Sequence, residues 1–342
     1  MKFPPYYNST PALESILKEL EILREAFKLV GILPQQAVYL RRQSLLKSSL
    51  FSARIEGNPI RPEDLSSSFQ NPQSRHKKEI ANILKAFSFL ESQNGKNIDT
   101  EFLLSLHRTV MQDLSSETGR FRTEVSAIFN QAGVAIYLTP PPIMIENLIN
   151  DLCLWNNKVF DPSPIKAAIT HIWFEKIHPF LDGNGRVGRL LSSFIIRQGE
   201  YDFGGIVPFE QYLDENRESY YDALNSDNQD VTGFVEFFLT AFHTQARKSL
   251  EEAKNPPPEE KTNLLPRRAE IVDIIRDHNM VSFDFIARRF VVVPKSTLHF
   301  DVQQLLKQGY IKKLGTTRGV VYTIHQPPTT NYQPMFTIPR FK

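Results

Sequence analysis

Apolar side chains recur at steps of three and four residues along most of the chain before residue 250, a spacing that predicts amphipathic α-helices. In the first such run, residues 11–30, Leu13, Leu20 and Phe27 fall on one face. A second run should stop at Gly57-Asn58-Pro59, because glycine and proline end helices. This part of the chain is therefore predicted to be mainly α-helical. The helical runs after the first are 40–55, 62–92, 100–114, 142–156, 162–176, 186–198, 208–227 and 231–250.

Residues 120–139 break this helical pattern. They are rich in β-branched and aromatic side chains around a Gln131-Ala132-Gly133 turn, and three prolines, Pro140 to Pro142, follow them. Two short segments rich in β-branched and aromatic residues on either side of a glycine turn are typical of a β-hairpin. We predict one hairpin on an otherwise helical body.

A proline-rich segment separates the body from a different pattern. Pro256 to Pro258 lie among charged residues and cannot continue a helix. After them, three helical runs precede a strand, a Gly/Thr turn and a second strand, which predicts a winged helix-turn-helix. The predicted divisions are a helical region at 1–95, a helical core at 96–250, a linker at 251–264, the winged helix at 265–325 and a tail at 326–342.

Composition narrows the class of protein. A chain of 342 residues is long enough for about two ordinary domains. The single cysteine, Cys153, excludes an intramolecular disulfide and fits a reducing cytoplasm. No stretch reaches 18 apolar residues without charges, so we expect neither a transmembrane helix nor a membrane partner.

Charge is unevenly distributed. The whole chain has a net charge of +2, but residues 264–324 carry +5 and residues 1–263 carry −5. A basic C-terminal module is compatible with DNA as a partner, and a protein-docking or dimerisation module stays open beside it. Base edges would be read by Lys295, Ser296, Thr297 and His299, and phosphates bound by Lys312, Lys313 and Arg318.

The chemistry is concentrated in residues 178–189, which read HPFLDGNGRVGR between two apolar helical runs. The loop leads into a helix N-terminus, where free amides and the helix dipole favour an anion. Gly183 and Gly185 let phosphate oxygens approach the backbone. Arg186 and Arg189 share a helix face, so both can reach one phosphate chain.

Two further side chains complete this loop. Asp182 offers a hard oxygen ligand suited to Mg²⁺ bound with nucleotide phosphates. His178 has a near-neutral pKa and suits general-base catalysis on a hydroxyl. A plain turn would need neither the histidine nor the two arginines. The chain has no GxxxxGK[ST], HExxH or GxSxG motif.

This segment resembles the Fic family signature, HPFx[D/E]GNGRxxR, at every specified position, and the resemblance extends over about residues 40–245. It implies a mostly helical core that transfers AMP from ATP to a protein hydroxyl. His178 would take the proton of the target Ser, Thr or Tyr, and Asp182 would hold Mg²⁺. Arg186 would face the β-phosphate and Arg189 the γ-phosphate. The implied nucleotide-binding residues are Gly183, Asn184, Gly185, Arg186, Val187, Gly188 and Arg189 in the signature, with Tyr221 and Asn228 around the adenine and ribose.

A second family feature lies upstream. Some Fic proteins carry [S/T]xxxE[G/N] on a helix that blocks the site, and Ser52 to Gly57 match it. The resemblance implies that a helix at about 40–57 is inhibitory and that Glu56 pairs with Arg189, the group meant for the γ-phosphate. Whether Glu56 acts within one chain or across a homodimer stays open.

The predicted hairpin also matches a family feature, a flap that docks the target by strand pairing, and Gly119-x-x-Arg122 resembles the segment that leads into it. A plain exposed hairpin is the alternative. The flap residues are Val134, Ala135, Ile136, Tyr137 and Leu138.

Three functions remain compatible with the sequence. The first is an autoinhibited adenylyltransferase that uses ATP and Mg²⁺ on an unknown target or on itself. The second is a DNA-binding regulator whose Fic core senses nucleotide. The third is a Fic enzyme that transfers another phosphate-linked group or also removes AMP. The intact His178 favours an enzyme, because binding alone needs no base.

Overall fold

The computed structural model describes residues 4–30, 32, 34–62, 74–129, 135–225, 229–254, 264–278, 280–290, 293–315 and 319–324. The chain divides into two compact units between Pro257 and Pro258, inside the predicted linker. Among the described residues, no helix has both the length and the apolar character that crossing a bilayer requires.

The first unit is a helical body, and its helices begin where the sequence supplies caps. Thr10 accepts a hydrogen bond from the Leu13 amide (3.2 Å), and Asp99 accepts one from the Phe102 amide (2.7 Å). The described helices of this unit are α1 (Pro11–Leu29), α2 (Pro34–Ile55), α3 (Arg75–Ser92), α4 (Thr100–Val110), α5 (Pro142–Lys158), α6 (Ser163–Ile177), α7 (Asn184–Gln198), α8 (Phe209–Glu215), α9 (Arg217–Leu224) and α10 (Thr232–Lys254).

Helix α6 lies at the centre of the core. Its residues from Pro164 to Ile177 are all buried except Lys166, which fits a sequence that is apolar on nearly every face. It packs most extensively on α7, and the two helices are joined directly by the loop 178–183. The segment that carries the candidate chemistry therefore starts and ends in the rigid centre of the unit.

The predicted hairpin is present. Strands β1 (Ala127–Phe129) and β2 (Ala135–Leu138) pair antiparallel, with Ala127 opposite Leu138. The Thr139 hydroxyl donates to the Ser126 carbonyl (2.7 Å) and closes the open end of the hairpin. The predicted turn at 131–133 lies outside the described residues.

Several helix boundaries differ from the prediction. The run 100–114 is helical only to Val110, and the run 62–92 gives a described helix from Arg75, with residues 63–73 outside the described part of the chain. Helix α2 begins at Pro34, because proline is favoured in the first turn. The run 208–227 forms α8 and α9, separated at Asn216, where the backbone leaves the helical region (φ −121°, ψ 42°). The main-chain and side-chain amides of Asn216 both donate to the Tyr212 carbonyl (3.0 and 2.9 Å). Helix α10 reaches Lys254, so residues 251–254 of the predicted linker are helical; the prolines that stop a helix come only at Pro256.

The second unit contains the three predicted helices and a sheet. Ser282 caps its second helix, accepting from the Phe285 amide (3.2 Å). The two-residue strand β3 was not predicted, because two residues are too few for a periodic pattern; its Val281 lies opposite Tyr322. The elements are α11 (Pro266–His278), β3 (Val281–Ser282), α12 (Phe283–Arg289), α13 (Lys295–Lys307), β4 (Ile311–Leu314) and β5 (Val321–Ile324), with antiparallel strand order β3-β5-β4.

Candidate active site

The loop between α6 and α7 is held in one conformation by its own side chains. His178 closes α6 in the left-handed region (φ 49°, ψ 59°), and its amide donates to the Phe174 carbonyl (3.0 Å). Asn184 then clamps the loop, since its amide group donates to the Phe180 carbonyl (2.8 Å) and its oxygen accepts from the Phe180 amide (2.9 Å). The Asn184 side chain is therefore used inside the loop, and only its main-chain amide is left to meet a ligand.

Arg122 joins the hairpin to this loop. The buried guanidinium donates to the carbonyls of His178, Glu124 and Pro140, each at 2.7 Å. Burial lowers the pKa of Arg122. These bonds stabilise the left-handed backbone at His178 and fix both ends of the hairpin beside it, so the Gly119-x-x-Arg122 segment has a structural task that its spacing alone did not show.

His178 is half-buried and suited to accept a proton. Its Nδ1 lies 3.3 Å from the Glu175 carbonyl, and donation there leaves Nε2 as the acceptor. Burial lowers the pKa of His178, and the bond to the Glu175 carbonyl only partly opposes this. The imidazole is therefore neutral near pH 7, the state that a general base requires.

His107 on α4 supports the loop from the other side, a role that sequence reasoning missed. Its ring stacks on Phe180 with centroids 3.7 Å apart. The Gly119 amide donates to Nδ1 (2.9 Å), so Nε2 carries the hydrogen and donates to the Asp182 carbonyl (3.0 Å). Burial lowers the pKa of His107 to about 4, which keeps this ring neutral.

Asp182 is the exposed carboxylate of the site. Its Oδ1 accepts from the Gly183 amide and from Arg186 Nη2, both at 2.6 Å, and the side chain is 51% exposed. No group of three or more acidic or histidine ligands exists among the described residues. One accessible carboxylate fits Mg²⁺ that is held mainly by water and substrate phosphates.

The N-terminus of α7 lies against Glu56. Gly183 precedes it in the left-handed region (φ 86°), and the amides of the first turn have no partner within the helix. A Cβ on Gly185 would lie 2.3 Å from Glu56 Oε1, so only glycine allows that carboxylate to approach so closely. The Glu56 carboxylate thus lies where a bound anion is expected. Val187 and Gly188, also predicted near the phosphates, face the core instead: Val187 is fully buried and Gly188 packs on Glu175.

Arg189 is almost completely buried, and its partners come from the end of α2. Its Nε donates to Ser52 Oγ, while Nη2 donates to the Ser52 carbonyl and to Glu56 Oε1, each at 2.9 Å. Burial alone would lower the pKa of Arg189, but the Glu56 carboxylate raises it above its usual value. The pairing predicted from the motif is therefore present, and it forms within a single chain.

Helix α2 is anchored just before Glu56. The Ile55 carbonyl accepts from Arg217 and from the Tyr221 hydroxyl (3.3 Å). Arg54 Nε also donates to the nearly buried Asp214 (3.0 Å). Tyr221, expected near the nucleotide, thus lies next to the end of α2, and Asn228 lies outside the described residues.

Glu175 is a second buried carboxyl that sequence reasoning missed. Among the described residues, its Oε1 is one of the few buried polar atoms without a hydrogen bond, and a Cβ on Gly188 would lie 2.4 Å from it. Burial raises the pKa of Glu175 to about 8, against the opposing effect of Arg189. Glu175 is the one acidic residue of the mostly apolar helix α6, and this isolated position was the sequence signal that could have pointed to it.

The neighbouring His171 is a structural histidine, fully buried on α6. It bonds Ser192 Oγ (3.0 Å) and the Tyr220 hydroxyl (2.8 Å), and burial lowers its pKa to about 3.

The described part of the flap is β2. Val134 lies outside the described residues, and Ala135 and Ile136 are described only by their backbone. Tyr137 is half-buried beneath Lys176, whose Nζ lies 5.5 Å from the ring centroid. Leu138 is 71% exposed, so one apolar side chain of the flap is accessible.

A loop between two buried helices that ends at a helix N-terminus is an arrangement suited to binding an anion. Residues 97–196 match the family model described as Fic/DOC family. The fold is similar to that of a Fic family protein from Desulfovibrio desulfuricans G20, with a TM-score of 0.66 and 22% identity over 94% of this chain and 98% of that one. Residues 97–196 therefore form a Fic/DOC-type domain, and the fold of the chain is that of Fic family structures.

Curated relatives match over shorter lengths. The protein adenylyltransferase Fic of Nematostella vectensis is 28% identical over 168 residues, which is 46% of this chain and 36% of that protein. The protein adenylyltransferase Fic of Drosophila willistoni is 34% identical over 140 residues, which is 40% of this chain and 26% of that protein. The chain thus spans about a third of the length of these relatives.

Proposed function

We propose that this protein is an autoinhibited adenylyltransferase that transfers AMP from ATP to a Ser, Thr or Tyr hydroxyl of a target protein or of itself. The relatives named protein adenylyltransferase support the activity. The observation that carries the proposal is local: a half-buried neutral His178, an exposed Asp182 and the N-terminus of α7 lie on one rigid loop, with Glu56 against the same helix end.

In this reaction His178 Nε2 takes the proton of the target hydroxyl while its oxygen attacks the α-phosphorus of ATP. The bond to the β-phosphate breaks and pyrophosphate leaves. The amides of α7 and the side chains of Arg186 and Arg189 hold the phosphates. Asp182 would hold a Mg²⁺ that neutralises phosphate charge.

Autoinhibition follows from the position of Glu56. Its carboxylate occupies one donor of Arg189 and lies beside Gly185, where phosphate oxygens would approach. A phosphate there would meet a negative charge and lose a cation partner. ATP would then bind with misplaced phosphates, and AMP transfer would be slow until α2 moves or Glu56 is removed.

A second proposal concerns the C-terminal unit, whose helices and three-stranded sheet follow the order typical of a winged helix. Lys295, Ser296 and His299 are exposed on α13, and the excess of basic residues favours DNA over a protein partner. Arg267 and Arg268 both donate to the buried Asp301 (2.5 and 2.8 Å), whose single negative charge offsets one of these two positive charges. Arg318 lies outside the described residues.

The test of the main proposal is incubation of the Glu56→Gly variant, which lacks the carboxylate that pairs with Arg189, with ATP labelled at the α-phosphate, followed by detection of label on protein. Label on protein from α-labelled but not γ-labelled ATP supports AMP transfer. Label from γ-labelled ATP indicates another transferred group, and tight ATP binding with no label indicates the nucleotide-sensing DNA regulator. ATP as substrate and a lone buried cysteine support a cytoplasmic location.

A further inference from the structure

Two carboxylates of very different exposure hold the guanidinium of Arg186. Nη2 donates to Asp182 Oδ1 (2.6 Å), and that side chain is 51% exposed. Nη1 donates to Glu79 Oε1 on α3 (2.5 Å), and the Glu79 side chain is only 13% exposed. Arg186 itself is 6% exposed, so its orientation is set by these partners and hardly by water.

Glu79 is itself fixed. Its second oxygen, Oε2, accepts from Asn58 Nδ2 (2.8 Å). Asn58 is buried and cannot rotate freely, because Nδ2 also donates to the His76 carbonyl (3.0 Å) and Oδ1 accepts from the Ile60 amide (3.1 Å). Both oxygens of the Glu79 carboxylate are therefore occupied, and its plane is locked.

The two partners of Arg186 differ in what they can do during turnover. Asp182 belongs to the loop and is exposed. If its carboxylate turns to bind a cation, Nη2 of Arg186 loses this partner. Glu79 belongs to a helix and keeps its contacts. Arg186 Nε is buried without a hydrogen bond among the described residues, so it adds nothing to hold the group in place. Once Asp182 turns away, Glu79 is the partner that remains.

We propose that Glu79 is a positioning residue that aims Arg186 at the nucleotide phosphates, with Asn58 fixing the carboxylate of Glu79. The inference rests on the proposed nucleotide site. The proposal gives α3 and the turn after α2 a part in nucleotide binding. That turn carries both Glu56, which pairs with Arg189, and Asn58, which reaches Arg186 through Glu79.

The test compares Glu79→Ala, Glu79→Gln and Glu91→Ala in a Glu56→Gly background. Glu91 is a matched control, because it lies on the same helix and also pairs with an arginine of α7, Arg197 (3.5 Å). We expect Glu79→Ala to lower kcat/KM for ATP by about 10- to 100-fold, since misaligned substrate contacts cost that much. Glu91→Ala should stay within about twofold.

Glu79→Gln separates orientation from folding. Glutamine keeps one oxygen for Arg186 Nη1 but loses the bond from Asn58, so we expect activity between that of the parent and that of Glu79→Ala. In an Arg186→Ala background, Glu79→Ala should cause no further loss. An additive loss there, or glutamine and alanine values that are equal, would show that Glu79 only stabilises the fold.

A binding measurement keeps this inference distinct from the proposed reaction. Calorimetric titration with ATP reports the site without any transfer step. If the Glu56→Gly parent transfers no AMP but Glu79→Ala weakens ATP binding by about tenfold, the reaction is wrong and the positioning role stands. Equal ATP binding by the parent and by Glu79→Ala overturns the positioning role.

Discussion

Replacing Glu56 with glycine should raise the rate of AMP transfer, and the structure shows why the rest of the site should survive the change. Glu56 lies one residue beyond α2, so its side chain contributes nothing to the interior of that helix. Arg189 loses one bond but keeps two to Ser52, from Nε and from Nη2 (both 2.9 Å). The clamp should therefore remain in place with a donor free for phosphate.

The size of the effect follows from the contact that is lost. A hydrogen bond between charged groups contributes roughly 1.5–3 kcal/mol. Glu56 is 30% exposed while Arg189 is 1% exposed, so solvent weakens the pair and the lower part of that range applies. At about 1.4 kcal/mol per factor of ten, the rate should rise about tenfold.

The assay is the initial rate of label incorporation from α-labelled ATP, with Glu56→Gln as the matched control. Glutamine keeps the size of the side chain and removes the charge, so activation by glutamine indicates electrostatic inhibition and activation by glycine alone indicates a steric block. Glu56→Gly with Arg189→Ala should lose the gain. Release of AMP from a purified labelled target is measured separately, because slower removal would also accumulate label. An unchanged initial rate for Glu56→Gly would refute autoinhibition by this residue.

Further predictions concern the base, the appended unit and pH. His178→Ala should bind ATP normally and lose about 10²- to 10⁴-fold in transfer rate; labelling at the parent rate would exclude it as the base. Because burial lowers the pKa of His178, the acid limb of the rate profile should lie below about pH 6.5, and a midpoint above that value would contradict a buried neutral imidazole. A chain ending at residue 254 should keep the transfer activity and lose DNA binding, and binding by the full chain should weaken steeply with salt; a flat salt response leaves protein docking. Glu175 binds its proton more tightly in the folded state (pKa about 8) than in the unfolded chain (4.5), so its stabilising effect is complete below pH 4.5 and is lost as the pH rises through 8. Thermal unfolding of Glu175→Gln should show a smaller loss of stability between pH 5 and pH 8 than the parent, and parallel curves would argue against a buried carboxyl that loses its proton.

Much of the site could be predicted from sequence because it is local. Residues 178–189 are contiguous, and a glycine loop before a helix has the same properties wherever it occurs: free amides, positive φ at Gly183, and arginines one turn apart. Helix caps such as Thr10, Asp99 and Ser282 act over three residues, so they too are readable. The pairing of Glu56 with Arg189 spans 133 residues, and only the family resemblance suggested it.

The supporting partners of the site could not be predicted in this way. Glu79 on α3 reaches Arg186, His107 on α4 reaches the Asp182 carbonyl, and Arg122 reaches the carbonyl of His178. The two residues of each contact are 56 to 107 positions apart in the chain. No motif or spacing in the sequence indicates that they meet.

The sequence by itself determined the helices, the hairpin and the loop chemistry, because periodicity, capping and turn formation act over a few residues. Only the tertiary structure decided which charged groups are buried, which carboxyl group is neutral and which arginine is already paired with a carboxylate. Glu175 and Asp182 are both acidic residues near one loop, yet burial raises the pKa of Glu175 to about 8 while Asp182 stays 51% exposed. The physical reason is that desolvation and ion pairing depend on what packs around a group, and packing brings together residues that are distant in the chain.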